Sequence, residues 1–569
     1  MNRIQQLPRR NWRARADEAR QLNALLRAPG GSQQLHDIQA VTLLEAWESG
    51  TGVNCYARVG AGKSHVIGLL PTLMARHPHG FSRPLIVVPG SLREKTEAEF
   101  AQSRQHWRIA NQYWLESYTA LAQESKADIL EERQPDMLLF DEPDGLRRVN
   151  ATSRRIGRYV QARRERGQPT FCGFFHATPY RDAITDFSHM VNWALGERSP
   201  FPLDPLEVQQ WSLWLDQDDA AGVPAFRKYF PQCNGGERGL EEAEDAFRER
   251  ITSTPGIILS DDSFTGAELT VDVHIVDPGL DREFRMLREL WQRPDGWDLA
   301  QVQGDDDPDE VNSLSIWGVA RQLALGFFYQ ADPTPPKAWM AARKAWVNYV
   351  RAIIDAPGSR YDTEKQVRSA CERAAERGGR KVPEWAAWVE LKDTFKPGRR
   401  PVWISTHAID AAKAWGAQGP GVIWTDLTAF GERLSQATGW TYYGQRGLDA
   451  AGRSIEQASG DRTIIASTRA NQRGRNLQYA FWRNLNMSVQ NAAADVEQWL
   501  GRTHRFGQVN GKVHADIYCA CSEHWKALDT KLPKGAQKAE RLLGLTQKLN
   551  SVTMSIHGAA SDQSGWAWR

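Results

Sequence analysis

The chain is short of every feature that would mark a zinc, secreted, membrane or repeat protein. Its six cysteines, Cys55, Cys172, Cys233, Cys371, Cys519 and Cys521, form no C-x-x-C pair, and no histidine pair stands at zinc-site spacing. A structural zinc site is not expected, and scattered thiols fit a reduced compartment. No segment approaches the roughly 18 apolar residues of a membrane span, and the opening MNRIQQLPRRNWRARADEARQ lacks the apolar core of an export signal. The expectation is a cytoplasmic protein with no membrane partner. Net charge is also scarce, because 71 Lys and Arg face 69 Asp and Glu for a formal +2. Any basic surface must therefore be local. With 41% hydrophobic and 25% charged residues, the composition is neither disordered nor low in complexity. Tryptophan alone is abundant: 23 residues run from Trp12 to Trp568 without a period, which predicts packing rather than repeats.

At roughly 100 to 200 residues per domain, this length predicts about three or four packing units. Over residues 35–203, apolar runs (VNCYARV, PLIVVPG, DMLLFDE, TFCGFFHATP) alternate with helical patterns. Strands separated by helices predict a parallel sheet, because parallel neighbours need crossover connections. A second such zone, 400–524, contains PVWIST, GVIWTD, WTYYG, RTIIAST and KVHADIYCA. The intervening residues 204–399 read as a mostly helical insertion or linker domain, with an acidic loop from Gly304 to Glu310. Residues 1–34 read as an N-terminal extension. Residues 525–569 read as a short extension, with a basic amphipathic segment followed by a tail expected to fray. The expected fold class is α/β, with two parallel-sheet lobes.

Two strand ends carry candidate chemistry. ARVGAGKSHV places Gly60, Ala61, Gly62, Lys63 and Ser64 between an apolar strand and a helical pattern. Glycines let backbone N–H groups turn onto phosphates, a lysine reaches the β and γ oxygens, and a serine hydroxyl at the helix N-terminus ligates Mg²⁺. Ala57 stands where the pattern G-x-x-x-x-G-K-[ST] has its first glycine. Pro71 is expected to kink the following helix or end it near Leu70. Downstream, PDMLLFDEPD ends a buried run in Asp141 and Glu142. One carboxylate to hold Mg²⁺ and a neighbour to orient or deprotonate the attacking water are what a triphosphate hydrolase needs.

Three more strings complete a series: FHATPYRD (175–182), ASTRANQRGRNLQ (466–478) and EQWLGRTHRFGQ (497–508). In this order the five resemble the motifs of superfamily 2 helicases, and within them the Swi/Snf-type translocases, especially compact phage-encoded members. The resemblance spans about 35–202 and 400–518. It implies two RecA-like P-loop lobes, ATP and Mg²⁺ as cofactors, and DNA as a partner held through its phosphates with weak sequence preference. For a phage-encoded member it also implies the host-cell cytoplasm and a replication, recombination or nuclease partner.

By position, Gln39 in LHDIQAVTLL matches the glutamine that reads adenine. Gly60, Ala61, Gly62, Lys63 and Ser64 match motif I, and Asp141 and Glu142 match motif II. Thr178 matches the hydroxyl that links nucleotide state to DNA. Gly474, Asn476 and Leu477 match motif V, with Gly474 implied near the nucleotide and Asn476 in DNA coupling. Gln498, Gly501, Arg502 and Arg505 match motif VI, with Gln498 implied as a nucleotide contact. Arg505 is implied as the arginine finger, with Arg502 beside it on the phosphates.

The implied activity is ATP-driven helicase or translocase movement along DNA. A DNA-stimulated ATPase that remodels protein–DNA complexes without strand separation is the alternative from the same chemistry. A catalytically decayed DNA-binding protein and a P-loop ATPase acting on protein alone are rivals of other classes. The chain departs from the family pattern at DEPD, where an alanine and a histidine are usual, and at His176, where a small residue is usual. These bear on coupling between ATP and DNA. Arg473 and Arg475 around Gly474 read as an extra phosphate contact.

The strongest local charge asymmetry is LRRVNATSRRIGRYVQARRERG (146–167), with eight arginines against one glutamate. It reads either as a solvated face or as a phosphate-tracking patch, with Arg154 and Arg158 stacked at i, i+4. Trp211 with Trp214, and Trp385 with Trp388, read as packing residues or as base-stacking platforms. His504 has no acid–base partner in the pattern and is not read as catalytic.

Overall fold

A computed structural model describes residues 2–10, 16–58, 60–123, 128–147, 150–233, 236, 238–260, 266–290, 292–296, 308–356, 364–376, 382–395 and 398–558. The first lobe contains β1 (Gly52–Ala57), β2 (Pro84–Val88), β3 (Trp114–Ser117), β4 (Met137–Asp141), β5 (Phe171–His176) and β6 (Ile257–Ser260). They form a six-stranded parallel sheet in the order β3-β2-β4-β5-β1-β6. Strands β1, β2, β4 and β5 are buried along their whole length, which is why they read as unbroken apolar runs. Helices Asp37–Ser49 and Lys63–Met74 cover one face, and Ala151–Glu165 and Ser188–Leu195 the other. Register pairs Tyr56 with His176 and Asp141 with Phe175, so the ends of β1, β4 and β5 open on one edge. Ligands of parallel α/β sheets bind at that carboxyl edge.

The second lobe has seven strands: β7 (Glu268–Ile275), β10 (Val422–Thr425), β11 (Tyr442–Tyr443), β12 (Ile464–Ser467), β13 (Arg483–Asn486), β14 (Lys512–Cys519) and β15 (Met554–His557). All pairs are parallel, in the order β11-β12-β10-β13-β14-β7-β15. The fold is α/β with two parallel-sheet lobes, as the strand–helix alternation predicts. The remaining strands, β8 (Phe327–Ala331) and β9 (Arg399–Trp403), make a separate antiparallel pair. PVWIST thus lies outside the second sheet, contrary to expectation.

Residues 204–399 do not form one central domain. Helices Pro205–Leu215 and Gly239–Ser253 belong to the first lobe, where Trp211, Phe247 and Ile251 share a core with β4 and β5. Strand β7 joins the second lobe beside β14, and Phe284, Leu287 and Leu323 pack with Phe430 and Ile465. Among the described residues of this stretch, only helices Lys337–Asp355, Glu364–Glu376 and Pro383–Leu391 surround a core of their own, built on Trp339, Trp346, Trp385 and Trp388. Both tryptophan pairs are therefore packing residues.

The two ends also join the lobes. Ile4, Leu22 and Leu26 pack into the first lobe. Helix Leu532–Leu543 starts in the second core with Leu532 and Ala536 and ends in the first with Ala539, Leu542 and Leu543. Pro71 neither ends nor interrupts its helix, which runs to Met74 because Leu73 and Met74 are anchored in the core. Most of the acidic loop (304–307) and the tail (559–569) lie outside the described residues. No helix among the described residues is long and apolar enough to cross a membrane.

Candidate active site at the lobe junction

The glycine-rich loop leaves β1 through Gly60 (φ +100°) and Gly62 (φ +75°), a left-handed backbone that glycine adopts without strain. Gly62 precedes helix Lys63–Met74, so the helix's free N–H groups face the loop. Lys63 Nζ donates to the carbonyls of Ala57 (2.8 Å) and Arg58 (3.4 Å) and lies 3.8 Å from Glu142 Oε1. Asp141 ends β4. Burial and the neighbouring Glu142 push its carboxyl up to about 7, against the pull of Lys63. Glu142 has φ +45°, a strained conformation for a side-chain residue, fixed by its N–H donating to Phe175 O at 2.9 Å. Its Oε2 is buried with no hydrogen-bond partner among the described residues.

The second lobe brings two arginines to the same space. Helix Ala493–Leu500 ends in a turn carrying Arg502 and Arg505. Arg502 donates to Gln498 O (2.9 Å) and Arg475 O (3.1 Å), and burial together with Arg505 presses its pKa down to about 9. Arg505 donates to Arg475 O (3.3 Å), and its Nε has no partner among the described residues. A cavity of about 420 Å³ is lined by Gly60, Gly62, Lys63, Ser64, Asp141 and Glu142 from one lobe and by Gly474, Asn476, Arg502 and Arg505 from the other.

Direct contacts hold the lobes together around it. Lys95 Nζ reaches Glu456 Oε1 at 2.7 Å, and Arg181 Nη2 reaches Asp495 Oδ2 at 3.0 Å. Gly474 has φ +63°, and a Cβ there would overlap the Leu92 side chain of the first lobe, so the close approach requires glycine.

Most residues expected at the site converge on this junction, with some exceptions. Gln39 does not line the cavity. Its Oε1 accepts from His36 N–H (3.0 Å) and its Nε2 donates to Ala61 O (3.2 Å), so it braces the cradle from behind. Gln498 also lies outside the cavity, donating to Thr178 Oγ1 across the junction at 3.3 Å. Arg473 is engaged within the protein, with Asp144 (3.0 Å) and Gln498 (2.9 Å), where the sequence suggests a phosphate contact. His504 lies 2.8 Å from Ala267 O and plays a structural part. Gln33, Lys95, Glu99 and Tyr479 also line the cavity, and no sequence signal points to them, since each lies outside the motif strings.

The arginine run is mainly internal. Arg147 binds Thr178 O, Arg155 donates to Leu121 O (2.6 Å), Arg163 to Thr170 Oγ1 (2.8 Å) and Arg164 to Asn192 O (3.2 Å). Arg154 is half-buried and Arg158 exposed on helix Ala151–Glu165, and neither lines the cavity. Neither the solvated-face nor the phosphate-patch reading covers the whole run.

Glu142, Asp144 and His176 lie close enough together to suggest a metal site. Arg147 Nη2 is already there, 2.9 Å from Asp144 Oδ1 and 3.1 Å from His176 Nε2, so a guanidinium fills the cation's place. Burial raises the Asp144 carboxyl, but Arg147, His176 and Arg473 together hold it well below the carboxylate range. In comparisons with known proteins, no family model matches the chain and no curated protein matches it.

Proposed function

We propose that the protein hydrolyses ATP between its two lobes and uses the cycle of closure to move along DNA. The observation that carries this reading is the shared cavity, in which Lys63, Ser64, Asp141 and Glu142 face Arg502 and Arg505 of the other lobe. The donor set suits a triphosphate with a divalent cation. A left-handed glycine loop, a lysine bonded to the Ala57 and Arg58 carbonyls and 3.8 Å from Glu142, and a Glu142 Oε2 and an Arg505 Nε that lack hydrogen-bond partners among the described residues converge on one space.

In this reading Lys63 exchanges the carbonyls of Ala57 and Arg58 for the β and γ phosphate oxygens. Ser64 and Asp141 would hold Mg²⁺, which would supply charge neutralisation for the phosphates. Glu142 orients the attacking water and takes its proton. Arg505, with Arg502 behind it, meets the charge that spreads over the γ-phosphoryl oxygens.

Movement along DNA rests on the motif series. If each lobe grips the phosphate backbone with a strength that depends on closure, one turnover advances the protein along the strand. Measuring ATP turnover alone, with single strands and with duplex tests both parts. No turnover in any condition ends the hydrolysis reading. Turnover indifferent to DNA ends the motor reading and leaves an ATPase with another partner.

A further inference from the structure

Asp144 and His176 of the first lobe and Arg473 of the second meet at one point of the lobe junction. Asp144 follows β4 and is buried against Arg147, at 2.9 Å, within its own lobe. Arg473 comes from the second lobe and places Nε 3.0 Å from Asp144 Oδ2. The same nitrogen donates to Gln498 Oε1 at 2.9 Å, and Gln498 Nε2 donates to Thr178 Oγ1 at 3.3 Å. On the other side of Asp144, His176 Nε2 lies 3.3 Å from Oδ1. That nitrogen is also 3.6 Å from Glu142 Oε2, the carboxylate oxygen without a hydrogen-bond partner. A continuous path of buried polar groups thus leads from a second-lobe arginine to the carboxylate that faces the cavity.

The two cations on Asp144 differ in origin. Arg147 is there whether or not the lobes meet, whereas Arg473 arrives only when they do. Losing Arg473 leaves Asp144 paired, so the first lobe keeps its fold, unlike the loss of a sole partner of a buried charge. We propose that Arg473 is a positioning residue that reports lobe closure to Glu142 through Asp144 and His176. This rests on the hydrolysis reading of the cavity. A purely adhesive salt bridge would have another signature: it would favour the closed form, and its loss would raise the ATP concentration needed without lowering the saturated rate.

The test compares steady-state ATP hydrolysis at saturating DNA in the full-length wild type, Arg473→Ala, Arg473→Lys, His176→Asn and the double variant Arg473→Ala with His176→Asn. Misplacing a reacting group by a fraction of an ångström to an ångström costs roughly tenfold to a hundredfold in rate. The expected result is a fall in kcat of that size for Arg473→Ala with KM for ATP unchanged. Arg473→Lys should recover part of it, and the double variant should be no slower than the worse single one, because both act on one path. A raised KM with kcat intact, or losses that multiply in the double variant, would overturn the inference while leaving the hydrolysis reading in place. A wild type with no turnover would overturn both.

Discussion

A Cβ built on Gly60 of the phosphate cradle would lie 3.5 Å from Nε of Arg505, a residue of the opposite lobe. The arginine turn therefore sits within van der Waals reach of the loop, and the positive φ of Gly60 is what a side chain there would strain. Replacing Gly60 with alanine strains the backbone and so shifts the loop against which Arg505 rests. The expected outcome is a fall in ATP turnover of tenfold or more, roughly, with the melting temperature little changed. Turnover equal to wild type would mean that the contact is incidental.

Lys63→Ala should abolish turnover, because no other lysine among the cavity-lining residues belongs to the cradle. Folding should survive, since among the described residues Lys63 bonds the carbonyls of Ala57 and Arg58 and approaches one carboxylate. A DNA-stimulated rate near wild type would show that the phosphate cradle is misassigned.

Glu142→Gln should leave ATP bound and uncleaved. The amide keeps the shape that its strained backbone imposes, and it loses the charge and the base. Direct titration should find affinity close to wild type, with turnover lower by roughly a hundredfold or more. An unchanged rate would remove Glu142 from the chemistry.

Asp141 links function to stability. Its folded carboxyl is raised from an unfolded value of 3.8 to about 7, so ionisation opposes folding. The cost is absent below the unfolded value, grows as pH rises and is complete above about 7. Without nucleotide, Asp141→Asn should therefore raise stability at pH 8 by on the order of 1 kcal/mol or more and change little at pH 4. Thermal melts at the two pH values check this, and equal effects at both would contradict it.

Much of this was legible in the sequence, for physical reasons that also mark the limits. Strands β1, β2, β4 and β5 are buried on both faces, and their apolar runs carry the chemical residues at their ends. Strand β7 escaped because ELTVDVHI acquires its place only by pairing with β14, more than two hundred residues away. Strands β3 (WLES) and β13 (RNLN) carry too few apolar residues in sequence to stand out from their loops, whereas β10 (VIWT) and β12 (IIAS), of the same length, do stand out. Motif strings brought Lys63, Glu142 and Arg505 to one site, but no local pattern tells that Asp144 and Arg473 pair with each other. Nor does the arginine run announce that Arg155 and Arg163 serve buried acceptors, because a guanidinium looks the same in sequence whether it faces phosphate or a carbonyl.

That division of the run makes a sharper test of DNA binding. Arg154→Gln with Arg158→Gln should flatten the slope of log affinity against log salt on duplex DNA by about 0.9 for each phosphate that the protein no longer neutralises. Arg155→Gln should instead lower the melting temperature, because it leaves the buried Leu121 carbonyl without its donor. An unmoved salt slope in the first variant would mean that Arg154 and Arg158 contact no DNA phosphate.

A site completed by the second lobe is what distinguishes a two-lobe motor from a hydrolase confined to the first lobe. In the proposed mechanism Arg505 acts on a nucleotide held by the glycine loop only while the two lobes meet around one cavity, as they do in this structure. The most direct measurement is ATP turnover at saturating DNA, with ATP affinity by titration, for wild type beside Arg505→Ala. A loss on the order of 10³-fold in turnover with affinity nearly intact is the predicted result. Turnover in Arg505→Ala equal to wild type would mean that hydrolysis is completed within the first lobe, and would contradict the two-lobe mechanism.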